Sequence, residues 1–298
     1  MSRTRREIES QPGVWERALL EVPAATTLLG RPGERVLAIG CGTSAFVAAS
    51  YARLREAAGL GETDSAYGSE LPSGHRRYDA VVAITRSGTT TEVLDALTSL
   101  PAGTRRVVVT GVADSPCVAL ADEVLLLDFA DEESVVQTRF PTTFLLLARA
   151  AVGHDVASLP GRARALLMGP VVEPRQDVDH FVFLGRDWVY GLAQEAALKV
   201  RETAQAWSES YPALDYRHGP IAVATEQSLV WLMGPSDATL PADVAATGAT
   251  VVTAATGDPL LELVAVQLMA VALAARLGLD PDAPRNLTRS IVLPRGTA

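Results

Sequence analysis

The sequence predicts an α/β protein made of parallel sheets flanked by helices, on three observations. Short, fully apolar runs alternate with helical stretches along most of the chain. The runs are bounded by Gly, Ser, Thr and Asp, and they lack the polar alternation of a half-exposed strand. The whole pattern then occurs a second time. Unbroken apolar strands belong to sheets covered on both faces, which is the usual condition of parallel sheets.

The elements follow in order. Residues 3–29 carry Ile8, Val14, Trp15, Leu19, Val22, Leu28 and Leu29 among charges, a leading helix expected to break near Pro12-Gly13 and Pro23. Strands are expected at 36–39, 80–84, 106–109 and 123–127, with helices at 45–58 and 91–100 and a shorter segment at 115–120. A helix at 138–153 accommodates Pro141 in its first turn. Residues 154–177, rich in Gly, Pro and Arg, predict a linking helix and a crossover. The second round places strands at 181–184, 229–233 and 250–253, and helices at 189–203, 241–247 and 260–277. Each half sets a Gly-containing turn ahead of its first helix (Gly40-Cys41-Gly42 and Gly185-Arg186), which reads as two copies of one unit. The expected division is a leading segment 1–30, a first domain 31–170 and a second domain 171–298.

Composition narrows the function. A length of 298 residues suits two domains. The net charge of −9 removes the basic footprint that a nucleic-acid partner needs. Two cysteines, Cys41 and Cys117, and four scattered histidines, His75, His154, His180 and His218, predict neither a disulfide scaffold nor a metal site. No apolar region follows the charged start, so no signal peptide is expected and the cytoplasm is the default location. The apolar stretch 263–275 contains Gln267 and falls short of the ~18 residues of a membrane span. It reads as a buried or interface helix, with no membrane partner.

Two strand-to-helix turns carry the chemistry. One is Ile39-Gly40-Cys41-Gly42-Thr43-Ser44, the other Ile84-Thr85-Arg86-Ser87-Gly88-Thr89-Thr90-Thr91. At the carboxyl edge of a parallel sheet, backbone N–H groups and helix dipoles converge on one spot, and glycine lets an anion approach. Helix capping would account for one such turn. Two turns dense in hydroxyls ask for more. Neither matches the dinucleotide or Walker glycine patterns, so no nucleotide cofactor is expected.

These turns resemble the phosphate loops of the SIS (sugar isomerase) family, most often Cys-Gly-Thr-Ser and Ser-Gln-Ser-Gly-Glu-Thr. The resemblance continues through Gln11-Pro12, Leu184-Gly185-Arg186, Gln194-Glu195 to Arg201-Glu202, His218-Gly219-Pro220 and Pro284-Arg285-Asn286-Leu287-Thr288-Arg289-Ser290. It covers nearly the whole chain, which resembles the isomerase half of glucosamine-6-phosphate synthase and its stand-alone deaminase and deglycase relatives. It implies two tandem SIS domains and a phosphate cradle of Thr43, Ser44, Thr85, Arg86, Ser87 and Thr90. It further implies Val136 and Gln137 near the sugar hydroxyls, a catalytic group of Glu195, Lys199, Glu202 and His218, and a homodimer in which His218 nears a neighbouring chain's site.

The catalytic group also makes sense on spacing. Glu195, Lys199 and Glu202 stand at i, i+4 and i+7, on one helix face. A carboxylate beside a cation can move a carbon-bound proton, and a histidine can serve ring opening. A solvated salt-bridge ladder is the plainer explanation of the trio, but its neighbours Ala193, Ala196, Ala197, Leu198 and Val200 are apolar.

Two departures from the family pattern shift the expected reaction. The sequence begins at Met1-Ser2 with no glutaminase region, and Arg289 stands where the synthase has its imine-forming lysine. Arginine stays protonated and cannot form the imine. The expectation is therefore an isomerase or deaminase acting on an amino-sugar 6-phosphate, not a glutamine-dependent synthase. A phosphorylated-fructosamine deglycase and a non-catalytic sugar-phosphate sensor are the alternatives. The short leading segment leaves no room for a helix-turn-helix that a regulator would carry.

Overall fold

Five parallel strands form the first sheet in the computed structural model, which describes residues 1–72 and 76–294; His75 lies outside them. They are β1 (Val36–Gly40), β2 (Thr63–Tyr67), β3 (Ala80–Ile84), β4 (Arg105–Thr110) and β5 (Glu123–Leu126), in spatial order β2-β1-β3-β4-β5. The second sheet holds β6 (His180–Gly185), β7 (Trp207–Pro212), β8 (Ser228–Leu232) and β9 (Thr250–Val252), in order β7-β6-β8-β9. All pairings are parallel. Every residue of β1, β3 and β8 is buried, as their apolar composition requires.

The sequence reading omits β2 and β7. Thr63-Asp64-Ser65-Ala66-Tyr67 and Trp207-Ser208-Glu209-Ser210-Tyr211-Pro212 are polar strands at sheet edges, each paired on one side only. Their pattern is that of a half-solvated edge, so an apolar-run criterion passes over them.

The helices are α1 (Arg3–Ala18), α2 (Val22–Leu29), α3 (Thr43–Ala57), α4 (Thr91–Ser99), α5 (Arg139–Ala151), α6 (Leu159–Leu167), α7 (Val189–Ala204), α8 (Leu240–Ala245) and α9 (Pro259–Arg276). α9 is long and apolar enough to cross a membrane by composition, yet 78% of it is buried within the protein, against α7 and α6. Its apolar surface is thus used internally and does not by itself call for a partner. Segment 115–120 holds only a 3-10 turn, Val118–Leu120.

α1 runs through Pro12, where a break was expected; the break comes at the 3-10 turn Leu19–Glu21. Proline cannot donate to the carbonyl four residues back. Here the Gln11 side chain substitutes, its Nε2 donating to Ile8 O at 3.2 Å and to Gln267 Oε1 at 2.8 Å.

The chain divides into two units, one of Val14–Val156 with the tail from Thr288, the other of Met1–Gly13 with Ala157–Leu287. This differs from the expected 1–30, 31–170 and 171–298. The start of α1 is tied into the second unit, where Thr4 N and Oγ1 each donate to Asp282 Oδ1 at 2.8 Å. Trp15 belongs to the first, its Nε1 donating to Thr142 Oγ1 at 3.2 Å. α6 packs on α9, which moves the crossover ahead of residue 157.

Each unit opens on the same tight turn. A Cβ on Gly40, the last residue of β1, would lie 2.5 Å from the Ser44 backbone, and one on Gly185, the last of β6, 2.3 Å from the Val189 carbonyl oxygen. Only glycine lets the following helix start so close to the strand end.

Gln11→Leu removes the donor to a buried carbonyl, and a loss of about 1–3 kcal/mol is expected. Adding Pro12→Ala restores the missing N–H and should recover part of it. Thermal denaturation of the single and double variants checks this; equal stability of wild type and Gln11→Leu would contradict it.

Candidate functional site

The strand order reverses between β1 and β3: the chain passes from β1 to β2 on one side and from β3 to β4 and β5 on the other. In open α/β sheets the ligand crevice lies beyond the carboxyl ends of such a pair. The turn after β1 leads into α3 with Gly42 at φ +54°. The turn after β3 leads into α4, and Gly88 sits at φ +66°, where a Cβ would come within 2.1 Å of Ser115 Oγ. Both glycines are therefore required by backbone conformation, and Gly88 by space as well.

A small cavity of about 30 Å³ lies between the turns. Ser44, Thr85, Arg86, Ser87, Thr90, Gln137 and Arg289 all line it, together with Cys41. Thr43 and Val136 are buried but outside this lining. Burial, and after it the Glu92 charge, pushes the Cys41 thiol up, so it is a neutral group here.

The Arg86 guanidinium is 2% exposed, with Nη1 donating to Ser134 O at 2.8 Å and Nη2 to Arg289 O at 2.9 Å. The tail residue Arg289 forms a two-oxygen pair with Asp131, Nη2 to Oδ1 at 2.6 Å and to Oδ2 at 2.8 Å, and its Nε donates to Glu132 O at 3.1 Å. Glu132, 1% exposed, caps α5 by accepting from Thr138 N, Thr138 Oγ1 and Arg139 N at 2.5, 2.6 and 2.8 Å. A carboxylate at a helix N-terminus is favoured by the dipole, and this one fixes the loop that carries Gln137.

The predicted catalytic residues lie in the other unit. On α7, Lys199 Nζ stands 3.2 Å from Glu195 Oε1 and 2.6 Å from Glu202 Oε2. Lys199 and Glu195 are 1% and 0% exposed, whereas the Glu202 side chain is 16% exposed. The trio is thus an interior ion group and not a solvated ladder. Burial opposes the Lys199 charge most strongly, but the Glu195 and Glu202 carboxylates outweigh it and hold the ammonium above its ordinary value of 10.5. His218 is exposed and ends the 3-10 turn Asp215–His218. Among the described residues no hydrogen bond or ion pair joins it to the trio.

The switch point of the second sheet, between β6 and β8, is built differently. Its turns carry Asp187 and Asp237, and Asp237 is held as a carboxylate by Thr239 and Arg217. A larger cleft of about 450 Å³ lies at the opposite edge, where His180 bridges Ser228 Oγ at 2.9 Å and Glu209 Oε2 at 3.1 Å. His180, Trp207 and Ser228 open β6, β7 and β8 in one register row, so this bridge ties three strand starts together.

Sequence reasoning did not single out Asp131, Glu132 or Ser290 as site residues. The Asp131-Glu132-Glu133 run shortly after β5 was the available signal, since it falls at the carboxyl edge of the sheet and reaches Arg289.

No protein-family model matches the chain. The glutamine–fructose-6-phosphate aminotransferase (isomerizing) of Thermus thermophilus is 30% identical over 355 aligned positions, covering 97% of this chain and 58% of the relative. That of Pyrobaculum aerophilum is 28% identical over 72% of this chain and 44% of its own length. The chain thus spans about half the length of these curated relatives. Among solved structures, glucosamine-6-phosphate deaminase from Thermotoga maritima superposes with a TM-score of 0.84 at 24% identity, covering 98% of this chain and 100% of that one. Tagatose-6-phosphate ketose/aldose isomerase from Escherichia coli superposes at 0.80 with 18% identity, covering 100% and 97%. The fold is therefore that of phosphosugar isomerases and deaminases, and the sequence is homologous to the aminotransferases.

Lys199→Met leaves Glu195 buried without its counter-charge, and a loss of about 3–5 kcal/mol is expected by chemical denaturation. Because the Lys199 value is raised on folding, its contribution is complete below 10.5 and disappears as pH rises past the folded value. Wild-type stability should therefore fall more steeply than that of Lys199→Met on the alkaline side; parallel curves would contradict the assignment.

Proposed function

We propose that the chain is an isomerase or deaminase of an amino-sugar 6-phosphate. The observation that carries this reading is the pair of hydroxyl-lined turns at the β1/β3 switch point, with Ser44, Thr85, Ser87 and Thr90 on one cavity beside the Arg86 guanidinium. Neutral donors, helix N-termini and one buried cation form a set matched to a phosphate dianion.

Glu202 is the proton carrier in this reading. Of the three α7 ionic groups it is the one with solvent access, and Lys199 Nζ stands 2.6 Å from its Oε2. With the sugar ring open, Glu202 takes the proton from C2 and returns it to C1. The C2 amine then becomes an imine, to which water adds and from which ammonia departs. Histidine chemistry suits the preceding ring opening, a role assigned to His218. The substrate brings its own nitrogen, so no enzyme amine is needed, which agrees with Arg289 being committed to Asp131.

A homodimer is part of the proposal. Trp207 and Val223, 69% and 60% exposed, share the cleft beside His180, and Leu214, 41% exposed, precedes the turn that carries His218; exposed apolar side chains of this kind are the ones a second copy would cover. Light scattering at micromolar concentration should give twice the 31.5 kDa chain mass. A monomer that retains full activity would refute the dimer.

Glu202→Gln keeps shape and removes the base, so turnover of glucosamine 6-phosphate to free ammonia should fall at least ~10²-fold. Solvent-deuterium exchange into C1/C2 should vanish with it, while phosphosugar binding changes only a few-fold. Saturation at ~100 times the dissociation constant should stabilise the fold by ~2.7 kcal/mol, and the unphosphorylated sugar by much less. Binding without ammonia release or exchange by any 6-phosphosugar would favour a sensor; ammonia-free release of a sugar from phosphorylated fructosamines would favour a deglycase.

A further inference from the structure

We infer that Arg217 is a positioning residue for His218, holding the turn that carries the histidine through a clamp on the loop between β8 and α8. The inference rests on the role proposed for His218 above and names what aims that side chain.

His218 has no anchor of its own. It is exposed at the end of the 3-10 turn Asp215–His218, and among the described residues no hydrogen bond or ion pair holds its ring. Its direction is therefore set by the backbone beneath it. A 3-10 turn has three residues per turn, so successive side chains leave it about 120° apart. Tyr216, Arg217 and His218 thus point three different ways. Tyr216 goes inward, 0% exposed, among Val182, Leu184, Val230 and Leu232. Arg217 goes to the loop after β8.

Arg217 meets three partners there. Its Nε donates to Asp243 Oδ2 at 2.7 Å, and its Nη2 to Thr239 Oγ1 at 2.6 Å and to Asp237 Oδ1 at 3.1 Å. The receiving surface is itself ordered, since Asp237 Oδ1 accepts from Thr239 N at 2.9 Å and from Thr239 Oγ1 at 2.6 Å. These two bonds, and after them Arg217, hold the Asp237 carboxyl well below the usual carboxylate range. Three partners on a planar guanidinium fix its orientation as well as its position, which a lysine ammonium cannot reproduce.

The clamp is exposed, with Arg217, Asp237 and Asp243 side chains at 28%, 42% and 48%, so it adds little to stability. Its effect is on direction. With Tyr216 seated in the core and Arg217 held on the loop, the Cα–Cβ bond of His218 has one way to point. The loops after β3 and after β8 occupy matching places, each following the strand that flanks its sheet's opening strand. The first carries Ser87 and Thr90 to a cavity, whereas the second receives a side chain of its own unit.

Two measurements on the full chain test this. The Cε1–H proton resonance of His218 is identified by its loss in His218→Asn. Arg217→Lys keeps the charge beside the imidazole and loses the three-point geometry, and Asp243→Asn loosens the clamp from the other side. Both should narrow the His218 line as the turn gains freedom. In the second measurement, release of ammonia from glucosamine 6-phosphate, kcat should fall about 10-fold in Arg217→Lys with KM nearly unchanged, within the ~10²-fold that a 1 Å misplacement costs. The same substitution in a His218→Asn background should cause no further loss. An unchanged line in both variants overturns the inference. So does full kcat in both while His218→Asn is slow, or an equal loss with and without His218, which marks a route that bypasses the histidine. If His218→Asn releases ammonia at the wild-type rate, or wild type releases none, the role proposed for His218 falls instead, and the line width alone decides whether Arg217 holds the turn.

Discussion

The turn in which a helix begins almost on top of the strand that precedes it is the constraint on which both units depend. At Gly40 and at Gly185 a methyl group would collide with backbone four residues ahead, at 2.5 and 2.3 Å. The first turn of α3, and likewise of α7, is thereby pressed against the carboxyl edge of its sheet. Helix amides and strand ends then share one small volume, and whatever side chains follow the glycine are delivered to it. The rest of the site is a choice of those side chains.

The two units make different choices on the same frame. After Gly40 come Thr43 and Ser44, and the neighbouring turn after β3 adds Thr85, Arg86, Ser87 and Thr90, so polar neutral donors collect around one cation. After Gly185 come Arg186 and Asp187, paired to one another at 3.6 Å, and the neighbouring turn adds Asp237. The ionic groups of this second unit lie about two to three turns along α7, in the interior, where Glu195 and Lys199 are withdrawn from water. On the proposed reading, a repeated architecture separates anion recognition from proton chemistry. Each is built in the dielectric surroundings it needs: donors at a helix edge for the one, a desolvated charge group for the other.

What the sequence made legible follows from the same physics. The strands β1, β3, β4 and β8 announce themselves because burial on two faces leaves no polar position in the interior of the sheet. β2 and β7 stay hidden because an edge strand may be polar, and Thr63–Tyr67 and Trp207–Pro212 are. The turns Cys41–Ser44 and Thr85–Thr90 could be read because glycine and hydroxyl density have few other uses at a strand end. Ser290 could not, since a serine in a tail is unremarkable until the tail is seen to return to the first sheet, and the acidic run at Asp131 pointed only to the sheet edge and not to its partner Arg289. The continuity of α1 through Pro12 was equally hidden, because it depends on a side-chain amide reaching back one turn, which no propensity rule encodes.

The pairing of Arg289 with Asp131 has a consequence for how such a site could change its chemistry over generations. An amine that is to attack a carbonyl must give up its proton, and a carboxylate within 3 Å opposes that loss. A lysine introduced at position 289 alone would be held as an ammonium by its inherited neighbour. A lineage acquiring or losing an imine-forming residue here would have to alter positions 131 and 289 together, or pass through a form in which one of them is idle. The two residues, 158 apart in the chain, are in that sense a single evolutionary character.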